Sequence, residues 1–453
     1  MNFPFLSRSP VLRLFSFTLA LASGLPSVQA ADGLQLTGTA RVRYESFSGQ
    51  PRPAFKDGDQ WISLRTTLMA QQDLGPLKFV GELYDSRVYL ADRRSALSTN
   101  DVNALELTQA YVAADLGAVL GKGSDLALQA GRFTLNVGSR RLVAADDFRN
   151  TTNAVTGVKS DFKFGGGYSG NVYYTLPQLR LPDALPSLLD NDIRWDRESS
   201  AAVLSGATLT SPRRFAGGAL EGALVVFREY DAPGRPTRDR DLRTIDLRYF
   251  RDAKPGLLDW EFETAWQTGH VRASTAALAA RKAVDAGFVH ARLAYQWDNR
   301  GKPRLGVDYD WVSGEGRGLQ SQRFDTLFGM RRGDFAPSGL YNLVGRANIS
   351  SPGLRFEVAP DARLDLMATV RGLWLASHTD SFSTIGIRDA TGRAGDYAGT
   401  QFDTRVRYWL VPKKLRLEVN SVLLAKGRFL REAPNARNNG DARFVAVSLQ
   451  TSF

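Results

Sequence analysis

The chain has 453 residues and no cysteine, which excludes a disulfide scaffold and any thiolate metal site. Lys and Arg number 58 against 47 Asp and Glu, a formal charge of +11, with only three histidines. A charge of that sign speaks to anionic partners rather than to fold.

Met1 to Ala30 reads as a cleaved secretory signal. Arg8 and Arg13 supply its basic start. The apolar run Leu14 to Leu25 falls short of the roughly 20 residues a bilayer helix needs. Val28-Gln29-Ala30 then offers a small-residue cleavage site. Export puts nucleic acid out of reach, so the positive charge points to an anionic solute, polymer or lipid head group. Residues 31–453 carry no apolar block of membrane-helix length. An exported chain of this kind is either a soluble periplasmic protein or a transmembrane β-barrel.

The mature chain opens with LQLTGTARVRYESF, where Leu34, Leu36, Ala40, Val42 and Tyr44 alternate with Gln35, Thr39, Arg41, Arg43 and Glu45. That is strand period with a charged second face. Ile62, Leu64, Thr66, Leu68 and Ala70 repeat it against Ser63, Arg65, Thr67 and Gln71. A tight turn, Asp73-Leu74-Gly75-Pro76, leads to LKFVGELYDSRVYL, and a longer polar stretch, Ala91 to Asn103, follows. Short turn and long loop keep alternating thereafter.

After the strands LELTQAYVAADL and DLALQAGRF comes Gly131 to Val158, a connection with four arginines. Arg132, Arg140, Arg141 and Arg149 are interleaved there with Asp146, Asp147 and Asn150. Guanidinium groups grip carboxylate or phosphate through paired hydrogen bonds, so this loop is either a solvated surface or an anion site.

Later strands have the clearest dyad. In LDWEFETAW, Leu258, Trp260, Phe262, Thr264 and Trp266 oppose Asp259, Glu261, Glu263 and Ala265. In QFDTRVRYWL, Phe402, Val406, Tyr408 and Leu410 oppose Gln401, Asp403, Arg405 and Arg407. A soluble sandwich also has one apolar face. Strands of about ten residues with aromatics near their ends favour the barrel. The expected fold is therefore all-β, a single antiparallel transmembrane barrel of about 18 strands, an even number as bacterial barrels require. The strands flanking Gly165 and the one starting near Ala201 are the weakest. With the N-terminus in the periplasm, the Pro177–Ser199, Trp311–Leu340 and His378–Gly399 loops all fall outside.

The chain ends FVAVSLQTSF, with a terminal aromatic sharing a face with Val445, Val447 and Leu449. This resembles the closing signal of outer-membrane proteins and implies recognition by barrel-assembly machinery.

Catalytic chemistry finds little support. His270, His290 and His378 are scattered, with no HExxH or cysteine ligand set. His290 lies on the polar face of FVHARLAYQW, where lining is the expected role. No catalytic residue, metal or cofactor is expected. The polar faces instead carry Arg41, Arg43, Arg65, Arg292, Arg304, Arg371, Arg405, Arg407 and Arg416. In an aqueous lumen with low-dielectric walls such charges concentrate anions.

Several stretches together resemble the alginate-export family of outer-membrane barrels: LYDSRVYL (83–90), GRF through TGV (131–158), FETAWQTG (262–269) and KPRLGVDYDWVSGEG (302–316). FDTLFG (324–329), LVGRANI (343–349) and GTQFDTRVRY (399–408) extend the match in family order. The resemblance implies a barrel with an arginine-rich constriction passing an anionic polysaccharide. Residue by residue it carries over Asp85, Arg87, Arg132, Arg141, Arg149 and Asp403 as pore-lining or conduit residues. Arg140, Arg405 and Arg407 join them from the loop and the polar faces. Phe133 and Phe148 depart from the family's usual glutamine and tryptophan.

The expected function is an outer-membrane channel, not an enzyme, for passive transport of anionic solutes or an acidic, uronate-like polysaccharide. The alternatives are a porin for small nutrients and, less favoured, a barrel enzyme. Expected partners are the anionic solute or saccharide, outer-membrane lipid and lipopolysaccharide, and the assembly machinery.

Overall fold

The computed structural model describes residues 33–145, 148–330, 332–335 and 343–453. The signal segment, Asp146 and Asp147 lie outside the described residues. Eighteen strands each run antiparallel to their neighbours in sequence. They are β1 (Leu34–Ser48), β2 (Asp59–Leu74), β3 (Leu77–Tyr89), β4 (Asn103–Gly117), β5 (Asp125–Phe133) and β6 (Val155–Lys163). Next come β7 (Ser169–Pro177), β8 (Ala202–Thr210), β9 (Ala219–Glu229), β10 (Asp241–Arg251), β11 (Leu258–Arg272) and β12 (Arg281–Gln296). The set is completed by β13 (Arg304–Val312), β14 (Ile349–Val358), β15 (Leu364–Trp374), β16 (Tyr397–Val411), β17 (Leu415–Lys426) and β18 (Ala442–Ser452). The strands flanking Gly165 and the one near Ala201 all form, as β6, β7 and β8. Short helices α1 (Leu185–Leu189), α2 (Arg332–Phe335) and α3 (Arg428–Glu432) lie in long connections.

β1 pairs with β2 on one side and β18 on the other, so the sheet closes and leaves no edge to template aggregation. The seam is tight. Gly38 N–H donates to Phe453 O at 2.9 Å and Phe453 N–H returns to Gly38 O at 3.0 Å. A β-carbon on Gly38 would sit 2.4 Å from the Phe453 ring, so the close approach demands glycine there.

One end of the barrel carries short turns. Leu74 and Leu77 are direct partners across Gly75-Pro76, a two-residue hairpin whose first residue is left-handed (φ 63°). The other end carries the long loops. Over most of the wall the outward positions are apolar and stay exposed, as Leu68, Leu83, Phe262, Trp266 and Val307 do. The alternate positions, Arg43, Arg65, Glu263, Asp310 and Asp403 among them, are buried within. This inversion of a soluble protein suits a hydrocarbon surround, where a lipid-facing Arg or Lys at mid-depth costs about 2–4 kcal/mol.

At the long-loop end the connections fold inward. Leu142, Val143, Phe324, Leu343, Phe382 and Phe429 from loops pack with Phe47, Trp61, Phe227 and Phe288 from the wall into one apolar cluster. The loops thus have a core of their own, inside the cylinder.

Candidate functional site

The connection from β5 to β6 enters the barrel and crosses it. On one side it is gripped by the wall of β1 and β2. Arg41 donates from Nη1 to Phe148 O at 3.2 Å and from Nη2 to Arg149 O at 2.9 Å. Arg43 Nη2 reaches Phe148 O at 2.8 Å and Arg65 Nη1 reaches Arg149 O at 3.1 Å. Asn150 completes this anchor. Its amide donates to Leu64 O at 3.0 Å and Asp101 O at 2.9 Å, while its carbonyl accepts from Ser86 Oγ at 2.6 Å.

On the other side Arg141 meets β11. Its Nη1 lies 2.8 Å from Glu261 Oε1 and 2.5 Å from Glu263 Oε2, and Ser139 Oγ donates to Glu263 at 2.7 Å. β11 stands nine strands from β2 by either route round the ring of eighteen, so the loop ties opposite walls together. It is a crossbar.

A second inward loop, between β13 and β14, braces it. Arg141 also binds both oxygens of Asp334 on α2, through Nε at 2.8 Å and Nη2 at 2.9 Å. Arg346 donates to Asp334 as well. Burial alone lowers the Arg141 guanidinium and raises the Asp334 carboxyl. Mutual attraction, with Glu263 and Glu261 on one side and Arg346 on the other, reverses both, so Arg141 sits well above its usual range and Asp334 well below. Below them His290 Nδ1 contacts Asp310 Oδ1 at 2.8 Å. His290, Asp310 and Asp334 bring ligand-type atoms within 4.8 Å of one another. Their acids are already engaged, Asp334 by Arg141 and Arg346 and Asp310 by His290 and Arg371 at 3.4 Å, so the group reads as an ion-pair knot rather than a metal centre.

The inner charges are segregated around the ring. Arg355, Arg371, Arg405, Arg407 and Arg416 on β14–β17 continue into Arg41, Arg43 and Arg65 on β1 and β2. The acids among them are fewer: Glu45, Asp59, Asp73, Glu357, Asp365, Asp403 and Glu418. Facing this arc, β9–β11 present Glu221, Glu229, Asp246, Asp259, Glu261 and Glu263, with Arg248 the one inward arginine of those strands. On the short-turn side of the crossbar, Arg41, Arg43, Arg65 and Arg416 line a cavity of about 200 Å³ with Glu418, Ser448 and Gln450. The Arg43 guanidinium stacks 4.2 Å from the centre of the Phe148 ring, which holds it facing that space.

The residues expected from sequence fall into distinct places. Asp403, Arg405 and Arg407 lie on the inner face of β16, with Arg405 bonded to Asp365 at 2.8 Å and Arg407 to Glu418 at 2.8 Å. Arg141 and Arg149 belong to the crossbar, and Arg149 Nη1 binds Asn100 at 2.8 Å. Arg140 is held left-handed at φ 70°; among the described residues its side chain donates only to Ala145 O at 2.7 Å, while its carbonyl accepts from Met330 N–H at 3.0 Å. Arg132, at the end of β5, fastens a different loop, bonding Glu106 at 2.6 Å and Glu198 at 3.1 Å.

Asp85 and Arg87 require correction as pore-lining residues. They alternate with Tyr84, Ser86 and Val88, which face inward, and pair across β2 with the outward Thr66 and Leu64. They bond to each other at 3.0 Å on the outer surface. Asp85 also accepts from the N–H of Leu105, which has φ 52° at a β-bulge, at 3.0 Å. Their role there is to neutralise each other and cap a bulge.

Sequence reasoning did not single out Asp334 or Arg346. Asp334 lies in the Trp311–Leu340 loop and Arg346 in the LVGRANI stretch, and nothing local marks either as a partner of Arg141.

Residues 32–444 match the family model described as alginate export. No curated protein matches the chain. Among solved structures, Pseudomonas aeruginosa OpdO is similar at 13% identity and TM-score 0.57, covering 93% of this chain and 97% of that one. P. aeruginosa OccK8 (OprE) follows at 10% and 0.59, covering 93% and 98%. P. aeruginosa OccK2 (OpdF), solved in complex with glucuronate, stands at 13% and 0.56, covering 93% and 98%. At these identities the likeness speaks for the fold alone.

Proposed function

This chain belongs to the alginate-export family and is an outer-membrane barrel channel, and on that premise we propose that its cargo is anionic. The observation that carries the reading is the charge segregation: a basic arc from β14 round to β2 faces an acidic arc on β9–β11. In a lumen bounded by low-dielectric walls such opposed arcs set up a transverse field. An anion follows the basic side, handed between Arg405, Arg407, Arg416 and the Arg41–Arg43–Arg65 group. The acids spaced between them keep it from sticking. The acidic arc holds the crossbar through Arg141.

Two sizes of cargo fit this chemistry, an acidic polysaccharide of uronate type and small anionic solutes. The apolar cluster that the inward loops build at the long-loop end favours the small solute, because it narrows the lumen. For partners, we assign lipid and lipopolysaccharide to the exposed apolar outer band and the assembly machinery to the closing strand that ends at Phe453.

The test is ion selectivity in planar bilayers. Under a salt gradient the wild-type channel should give an anion-selective reversal potential, and Arg405→Glu with Arg407→Glu should move it toward cations. Unchanged selectivity in that double variant overturns the reading. Glucuronate and its oligomers are suitable blockers, and relative block by monomer and oligomer ranks the two cargo sizes.

A further inference from the structure

On the long-loop side of the crossbar a second cavity, of about 220 Å³, opens between the wall of β10–β12 and the inward loop 313–326. Its size is below the range of pockets for drug-sized ligands and suits a single six-membered ring. Its lining is mixed. Leu242, Val271 and Val284 from the wall and Phe324 from the loop make an apolar floor. Thr326 and Thr384 also line it, and neither hydroxyl is hydrogen-bonded among the described residues.

The charges around it are mostly spent. Arg240 is committed to Glu229 at 2.7 and 2.8 Å and to Asp325 at 2.7 Å. Arg323 is held by Asp380 and by Ser381 O at 3.1 Å. Glu315 is taken by Lys282 at 3.0 Å and Ser321 at 2.9 Å. Arg238 differs. It hydrogen-bonds through Nε alone, on Arg272 O at 3.0 Å, and although its charge also acts on Asp325, its two Nη groups make no hydrogen bond among the described residues. The cavity therefore offers one guanidinium with unused donors, an apolar floor and two hydroxyls without a hydrogen bond among the described residues.

We propose that this cavity receives one carboxylated pyranose, its carboxylate on Arg238, its apolar ring face on Val271, Val284 and Phe324, and its hydroxyls on Thr326 and Thr384. The inference rests on the anionic cargo argued above and adds a docking station on the outer side of the crossbar. A neutral sugar lacks the charge to engage Arg238, and a simple carboxylate lacks the ring to cover the floor. Loss of either half weakens binding, so the site selects acidic sugars over both.

The experiment uses the full-length channel in planar bilayers, with glucuronate, glucose or acetate added to the long-loop side. Glucuronate should interrupt the current, with glucose and acetate far weaker. Arg238→Gln should raise the blocking concentration at least about tenfold, the loss expected for one charged hydrogen-bonded contact. Thr384→Trp, which fills the cavity and leaves Arg238 in place, should do the same. Block that survives both variants, or acetate as effective as glucuronate, overturns the site. Failure of the underlying reading has a different signature, a wild-type channel without anion selectivity; an anion-selective channel that glucuronate does not block sinks only this site.

Discussion

Arg141 and Asp334, contributed by two different loops, meet side-on inside the barrel, with Nε and Nη2 each donating to one carboxylate oxygen at 2.8 and 2.9 Å. The planar fork of arginine fits that geometry, and lysine cannot reproduce it. Through this contact the β5–β6 loop and the β13–β14 loop become one body resting on Glu261 and Glu263.

Arg141→Ala leaves Glu261, Glu263 and Asp334 facing one another with one cation fewer. Breaking a buried pair in this way costs about 3–5 kcal/mol. The loss should appear as faster amide exchange over residues 134–145 and noisier single-channel current, with the strands unaffected. Arg140→Ala, which among the described residues removes only a side-chain bond to Ala145 O, should leave both readouts close to wild type. Equal effects from the two variants would disprove the anchoring role.

At the opposite anchor Asn150→Ala removes the amide that serves Leu64 O and Asp101 O and the oxygen that receives Arg41. Unsatisfied buried groups cost about 1–3 kcal/mol each. Exchange should rise at residues 148–154 while Arg141 stays engaged. Asn150→Asp, unable to donate, should behave like the alanine variant.

Asp196, in the loop between β7 and β8, should make loop docking pH-dependent. Burial, with Glu106 nearby, pushes its carboxyl up to about 7, although the Leu181 N–H and Asn103 amide oppose this. The docked loop thus binds a proton more tightly than the free loop, and docking weakens as pH rises from about 4 to 7, then levels off. Exchange protection over residues 178–201 should fall across that window. Asp196→Asn should flatten the profile; a slope that persists in this variant would point to another group, with Asp101, also raised to about 7 by burial, the first to examine.

Gly38→Val places a branched side chain where the Phe453 ring lies. Closure should suffer, read as less heat-resistant folded barrel on gels and a lower unfolding temperature. Pairing the change with Phe453→Ala should restore part of the loss.

The strands were legible because a dyad is written twice over, in apolar residues for the lipid side and in charges for the lumen. Arg405 and Arg407 could be assigned to a face from Phe402 and Val406 alone. Asp85 and Arg87 show the limit of motif matching: their alternation with Tyr84 and Ser86 placed them outside, yet the resemblance drew them in. The crossbar's arginines were visible, but not their destinations. Loop paths depend on contacts across the whole ring, such as Asn150 with Leu64 and Arg141 with Glu263, and no local period encodes those.

The crossbar also has a mechanical side. A cylinder of hydrogen-bonded strands flattens easily under lateral load, because ovalising it barely disturbs any single ladder. A strut fixed at β1–β2 and at β11 resists that flattening along the diameter it spans. Squeezing by the surrounding bilayer along that diameter would load the Arg141 and Asn150 anchors in compression and so link membrane composition to the width of the passage beside the strut.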